Sequence, residues 1–184
     1  MKITVRPLTP DIWPAFEDLF ADSAVCSRCW CMYWRIGADY RKRPEKTNQA
    51  AFKAVVKNGP PPGLLAFDGD VAVGWCQLTP RDQVPELDRA WRLKPVDDMP
   101  VWSITCFYVR KNYRKRGITS ILIAAALKAA KQAGAPALEA YPLERRLSPS
   151  STSTGIVTTF ERAGFKTVAC RVPPRPIMRH DLKY

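Results

Sequence analysis

Histidine is all but missing from this chain: His180 is the only one in 184 residues. It falls in the last apolar run and reads as structural, and none stands near Cys106 to activate that thiol as a nucleophile. Long apolar runs are missing too; none approaches the roughly 18–20 residues needed to span a bilayer, so no membrane partner is expected. The first seven residues lack the apolar stretch of a secretion signal and read as a strand, which makes a cytoplasmic location the expectation. Acidic residues are few, 17 against 29 basic ones, for a net charge of +12. Nucleic acid is the reflex partner of such a balance. The basic residues are only partly clustered, however, at Arg41-Lys42-Arg43, Arg110 to Arg116 and Arg145-Arg146, and no nucleic-acid motif accompanies them.

With 46% hydrophobic and 25% charged residues the chain has the composition of a folded soluble protein. Its length suits one domain, residues 1–184, and is short for two. Six cysteines without a secretion signal are expected as reduced thiols. Cys76, Cys106 and Cys170 lie in apolar runs and read as small core residues. Cys26-x-x-Cys29-x-Cys31 offers three thiolates but no second pair, whereas a structural zinc site takes four ligands, so no metal is expected. Trp30, Tyr33 and Trp34 beside them read as core aromatics, with an aromatic wall for a substrate as the sharper alternative.

Pattern places the elements. Thr9-Pro10-Asp11 opens a helix burying Ile12, Phe16, Leu19 and Phe20. Thr47 is a candidate N-cap for a second helix to Lys57, with Ala51, Phe52, Val55 and Val56 on one face. Leu64 to Phe67 and Val71 to Leu78, joined through Asp68-Gly69-Asp70, make a β-hairpin. Pro80 to Pro100 reads as an irregular flap. Val101 to Val109 is a buried strand, Ile118 to Lys131 an amphipathic helix, and Ala137 to Tyr141 another strand. A polar loop from Pro142 to Ser153 follows, then a short helix closed by Gly164 and two last strands, Phe165 to Val172 and Pro176 to Leu182. The order is β-α-α-β-β-β-α-β-α-β-β, a mixed sheet with helices packed against it.

Between the strand ending at Val109 and the helix at Ile118 lies the most informative stretch, Arg110-Lys111-Asn112-Tyr113-Arg114-Lys115-Arg116-Gly117. A basic turn with one glycine, opening a helix, offers unpaired backbone N–H groups at the positive end of a helix dipole, which binds phosphate.

That turn and the element order resemble the GNAT superfamily of acetyl-CoA-dependent N-acetyltransferases. The family's cofactor motif, Arg/Gln-x-x-Gly-x-Gly/Ala, reads here Arg114-Lys115-Arg116-Gly117-Ile118-Thr119, with Thr119 in place of the usual small residue. Its second motif, an aromatic four residues before Gly-Phe, reads Phe160-Glu161-Arg162-Ala163-Gly164-Phe165. The resemblance implies an α/β fold with a mixed, mostly antiparallel sheet flanked by helices, and acetyl-CoA as cosubstrate. The amides of Arg114, Lys115, Arg116, Gly117, Ile118 and Thr119 would hold the pyrophosphate. Main-chain groups of Phe107 and Val109 would pair with the pantetheine arm, in a slot where the Val109 strand splays from the strand at Ala137. An N–H near Tyr108 would stabilise an oxyanion. The implied activity is direct acetyl transfer to an amine in a ternary complex, with the acceptor's identity open and a homodimer compatible.

Acid–base chemistry is less determined. An alkylammonium with pKa near 10.4 lies about 3.4 units above neutrality, ~4.6 kcal/mol, so its proton must be removed. The positions where family members carry a glutamate and a tyrosine hold Ser103 and Phe160. Glu139 as base, Tyr141 as acid, Tyr108 and Cys106 are the substitutes, with a solvent-facing glutamate on an edge strand as the other reading of Glu139. The same two departures motivate an alternative, a catalytically weak acetyl-CoA sensor or interaction module.

Overall fold

The computed structural model describes residues 2–144 and 153–182. Its first strand, β1 (Ile3–Pro7), leads through a 3-10 turn at Pro10–Ile12 into α1 (Trp13–Ala21). Three helices follow, α2 (Ala24–Cys29), α3 (Tyr33–Ile36) and α4 (Glu45–Asn58). The expected hairpin forms as β2 (Gly63–Asp68) and β3 (Val71–Pro80), turning at Gly69 with φ +60°. After α5 (Glu86–Arg89) come β4 (Trp102–Val109), α6 (Ile118–Gln132), β5 (Ala137–Ala140), α7 (Val157–Arg162), β6 (Lys166–Val172) and β7 (Arg175–Asp181). The seven strands form one sheet in the order β1-β2-β3-β4-β5-β7-β6. Only β4 and β5 run parallel; every other neighbouring pair is antiparallel.

Both faces of the sheet are covered, which is why its central strands read as near-continuous apolar runs. On one face Ile118, Leu122, Ile123 and Ala126 of α6 pack over Leu64, Ala66, Val73, Ile104 and Phe107. On the other, Phe16 and Phe20 of α1 and Phe52 of α4 pack against Leu65, Phe67 and Trp75. Alternation along β2, Leu64 and Ala66 to one side and Leu65 and Phe67 to the other, is the period-two rule of a pleated strand. Trp30 stacks between Trp13 and Phe20, with ring centroids 6.1 and 5.6 Å away, and is buried. Trp34 is buried as well, so both tryptophans belong to the core and not to a substrate wall.

Some expectations change. Thr47 is not the cap of its helix: α4 starts two residues earlier behind Pro44, and no side chain caps it. Cys170 is exposed, because β6 is the edge strand and five of its seven residues are exposed. The flap is not irregular throughout: 3-10 turns at Arg81–Gln83 and Trp91–Leu93 flank α5, and Val84, Leu87 and Leu93 bury against Trp34, Tyr141 and Ile177. The loop expected from Pro142 to Ser153, with Arg145 and Arg146, lies largely outside the described residues.

The seating of α6 depends on Gly74 of β3. A Cβ there would stand 2.7 Å from Ile118 Cγ2, so the glycine lets the first turn of the helix close onto the sheet. Gly74→Val should therefore destabilise the protein by about 1–3 kcal/mol, the usual cost of overpacking a filled core. Thermal denaturation measures it; an unchanged midpoint would show that α6 does not depend on this close approach.

Candidate active site

The sheet parts between β4 and β5. The two strands are in register only from Trp102 opposite Leu138 to Ile104 opposite Ala140, and β4 continues alone from Thr105 to Val109. At roughly 3.3 Å per residue the unpaired edge is about 16 Å long. Backbone parity settles which groups face it. Arg110 N–H donates to Val73 O at 2.9 Å, and Val109 stands opposite Gly74. In an antiparallel ladder alternate residues direct both main-chain groups to the partner. Cys106 and Tyr108 thus bond to β3, while Phe107 and Val109 present N–H and C=O to the gap. Arg114 Nε already donates to Val109 O at 3.1 Å. Tyr108's own amide is consequently turned from the gap, and the N–H nearest to it that faces the gap is that of Phe107 or Val109.

The gap ends at the N-terminus of α6. Gly117 caps that helix in left-handed conformation, φ +77°, and no side chain satisfies the first-turn amides. A Cβ at Gly117 would meet nothing within 4 Å, so the space before these amides is open. Lys115 is also left-handed, φ +60°. Left-handed residues alternating through a turn make its N–H groups converge into an anion-binding nest. Lys111, Arg114, Lys115 and Arg116 belong to the turn that forms it. The group implied by the motif, a diphosphate with an amide-bearing arm, fits these donors in kind and in order: amides and cations at the turn, paired main-chain groups along the strand.

Glu139 and Tyr141 come together, but in a closed polar cluster. The Glu139 carboxylate is buried; Oε1 accepts from Arg179 Nε at 3.0 Å and Nη2 at 2.7 Å. Its Oε2 accepts from Tyr141 Oη at 3.0 Å and from Arg81 Nη1 at 3.4 Å. Tyr141 Oη in turn accepts from Arg81 Nη1 at 2.8 Å and lies 2.9 Å from Ser103 Oγ. Burial, then the neighbouring Glu139 charge, push the Tyr141 phenol far above the ordinary tyrosine range. Arg81 also holds Asp88 and Leu93 O, and Arg179 holds Asp97, which fastens the segment from Arg81 to Asp97 onto the sheet. Glu139 was expected as a free base in a core strand. Its position in the core matches, but its acceptor sites are filled by two guanidiniums and a phenol, which suits a tether and not proton abstraction.

Tyr108 stands apart from that cluster. It is half-buried on the face covered by α1, and its hydroxyl donates to Asp22 Oδ2 at 3.4 Å. Burial, with Cys26 and Asp22 adding to it, raises its pKa, so it stays protonated at neutral pH. Phe160 is fully buried against Phe107 and Phe165. His180 packs on Phe165, and its Nδ1 lies 3.0 Å from Asp181 O. Cys106 faces the α2 cysteines. Among the described residues no group of three or more His, Cys, Asp or Glu is arranged to hold a metal. Asp22, Arg81 and Arg179 escaped the sequence reading; Asp22 carries no motif, and the arginines reach Glu139 across sequence separations of 58 and 40 residues.

A mixed sheet opened between two parallel strands, with an uncapped basic helix N-terminus at the mouth of the opening, defines an acyl-CoA-binding class of α/β fold. The chain belongs to the acetyltransferase (GNAT) family, whose model matches residues 14–146. Enzymes of this family use acetyl-CoA as cosubstrate. Solved structures agree on the fold: an N-acetyltransferase from Staphylococcus aureus Mu50 superposes with TM-score 0.58 at 14% identity, covering all of both chains. The PaiA N-acetyltransferase from Thermoplasma acidophilum, solved with coenzyme A, gives 0.56 at 16% identity over 98% of this chain and 99% of its own. The ribosomal-protein-S18-alanine N-acetyltransferase from Escherichia coli gives 0.54 at 13% identity over 100% and 96%. No curated protein matches the chain.

Glu139→Gln should leave two buried guanidiniums short of a counter-charge and destabilise the fold by about 3–5 kcal/mol. Denaturant unfolding measures the loss; wild-type stability with an altered acid limb in the rate profile would return Glu139 to the role of base. The Arg179 hydrogen bond holds the Asp97 carboxyl below its usual value. A depressed carboxylate pKa contributes stability that is complete above about pH 4 and is lost as pH falls through the folded value. Asp97→Asn should therefore make the 81–97 segment more susceptible to proteolysis at neutral pH, and remove the acid-induced increase expected of wild type; equal susceptibility of the two at neutral pH would take Asp97 out of the tether.

Proposed function

We propose that this protein is an N-acetyltransferase that moves an acetyl group from acetyl-CoA directly to an amine while both are bound. One observation carries the reading: the unpaired edge of β4, with Phe107 and Val109 amides facing the gap, runs straight into the open nest at Gly117. Bound acetyl-CoA supplies the activated acyl group. The amides of residues 114–119 hold its diphosphate, the Phe107 and Val109 main chains orient its arm, and the Phe107 N–H stabilises the oxygen on which charge develops. Tyr108 is the proposed acid, giving its phenolic proton to the departing sulfur and recovering one through Asp22 and solvent. The acceptor reaches the gap from the face of the sheet covered by α1 and α2, and its ammonium loses a proton to solvent. Glu139 and Tyr141 act at one remove, by holding β5 and the flap in place.

Calorimetric titration with acetyl-CoA tests the cofactor half. Wild type should bind, and Gly117→Asp, which puts a carboxylate before the nest, should not, with the fold retained by circular dichroism. Binding by the variant as tight as wild type would remove the nest from the account. Tyr108→Phe should lower kcat about 10²-fold, the scale of a lost general acid, while acetyl-CoA affinity stays near wild type. A second reading, a binding module that does not turn over, draws on the burial of both Ser103 and Phe160 at the positions where relatives carry acid–base groups. Free-thiol release across a panel of amines separates the two: cofactor binding without release from any amine favours the module.

A further inference from the structure

The proposed transfer reaction uses none of the six cysteines, and four of them converge. Cys26 and Cys29 sit one turn apart on α2, Cys31 follows that helix, and Cys106 lies on the part of β4 that borders the gap. Trp30 and Cys31 are both left-handed, φ 46° and 56°. For residues with side chains such backbone is unfavourable and persists only where surrounding contacts impose it. Those contacts are visible. The Trp75 indole N–H donates to Cys31 Sγ at 3.0 Å. Gln77 Nε2 donates to Cys31 O at 3.4 Å and is itself fixed by the Thr105 hydroxyl at 3.0 Å. Trp75 and Gln77 point to the same face of β3, and their partners across the ladder are Tyr108 and Cys106. Held at both points, Cys31 packs in the same core cluster as Cys106, whose cross-strand partner Gln77 holds the Cys31 carbonyl. Cys31 is buried, Cys106 is half-buried, and both are free thiols. A core cysteine needs only volume; a left-handed turn pinned by two β3 side chains beside a second cysteine does more than fill space.

We propose that Cys31 and Cys106 form a redox pair, a modification site whose co-reactant is a low-molecular-weight disulfide. Cys106, the more accessible thiol, attacks as thiolate after giving its proton to solvent. One S–S bond of the small disulfide breaks, one forms to Cys106, and a small thiolate leaves. Cys31 then loses its proton and displaces the second small thiolate from Cys106, closing the Cys31–Cys106 bond. The small disulfide has gained two electrons and becomes two thiols; the protein has lost two electrons and two hydrogens. The new bond ties the turn after α2 to the free edge of β4 and narrows the acceptor side of the gap. That consequence rests on the acetyl-transfer reading; the covalent step does not.

The test uses full-length protein carrying Cys170→Ser, which removes the exposed thiol on β6, and oxidised glutathione as the disulfide. Expected are a mass lower by two hydrogens with no glutathione retained, a non-reducing peptide map joining Cys31 to Cys106, and reversal by dithiothreitol. Cys31→Ser should trap glutathione on Cys106, and Cys106→Ser should abolish the intramolecular bond. A bond mapped to Cys26 and Cys29, or an unchanged mass in the folded protein, overturns the proposal. Acetyl transfer by the reduced protein, lost on oxidation while acetyl-CoA still binds, is the expected functional effect. Absence of transfer in the reduced protein would sink the enzyme assignment and leave the mapped bond standing.

Discussion

Tyr141 is the post on which the sheet divides. Its phenol is claimed by Arg81, Ser103 and Glu139, and its carbonyl accepts from Arg175 Nη1 at 2.7 Å. A buried hydroxyl without partners is costly, so the residue goes where those partners are. The chain beyond it spends its backbone bonds away from β4 as well: Leu143 N–H donates to Gly155 O, and Val157 N–H to Leu143 O. Among the described residues no strand pairs with Thr105 to Val109 on the side away from β3. The opening along β4 is therefore a consequence of polar satisfaction elsewhere, and residues that touch no substrate decide its shape.

The same economy explains why the two sides of the opening look so different. The proposed cofactor side is built from backbone: amides of β4, amides of the α6 first turn, and a left-handed glycine that presents them. The acceptor side is built from side chains, sulfur and aromatic for the most part, with one accessible phenol. On the proposed reading, catalytic power on such a surface would come mainly from orientation and from the fixed amide at the developing oxyanion.

Much of this was legible in the sequence, and the reasons are local. Asp68-Gly69-Asp70 between two apolar runs specifies a hairpin because glycine alone takes the required φ cheaply. The basic turn before Ile118 specifies a helix N-terminus because its glycine and the following apolar period leave no other reading. Illegible were the features that depend on distant pairing. That β7 inserts between β5 and β6 follows from no local signal. Glu139 in a core strand looked like a base because burial of one carboxylate raises its pKa; the two arginines that alter this come from outside its neighbourhood in the chain. Thr47 looked like a cap because its side chain suits one, yet Pro44, with its fixed φ, sets the start of α4.

Backbone amide hydrogen exchange, with and without acetyl-CoA, tests the central claim most directly, because the claim concerns main-chain groups. The account predicts that the cofactor slows exchange at Phe107, at Val109 and through residues 114–120, while amides of β1 and β6 stay as they were. Unchanged exchange at Phe107 and Val109 under saturating acetyl-CoA would contradict it.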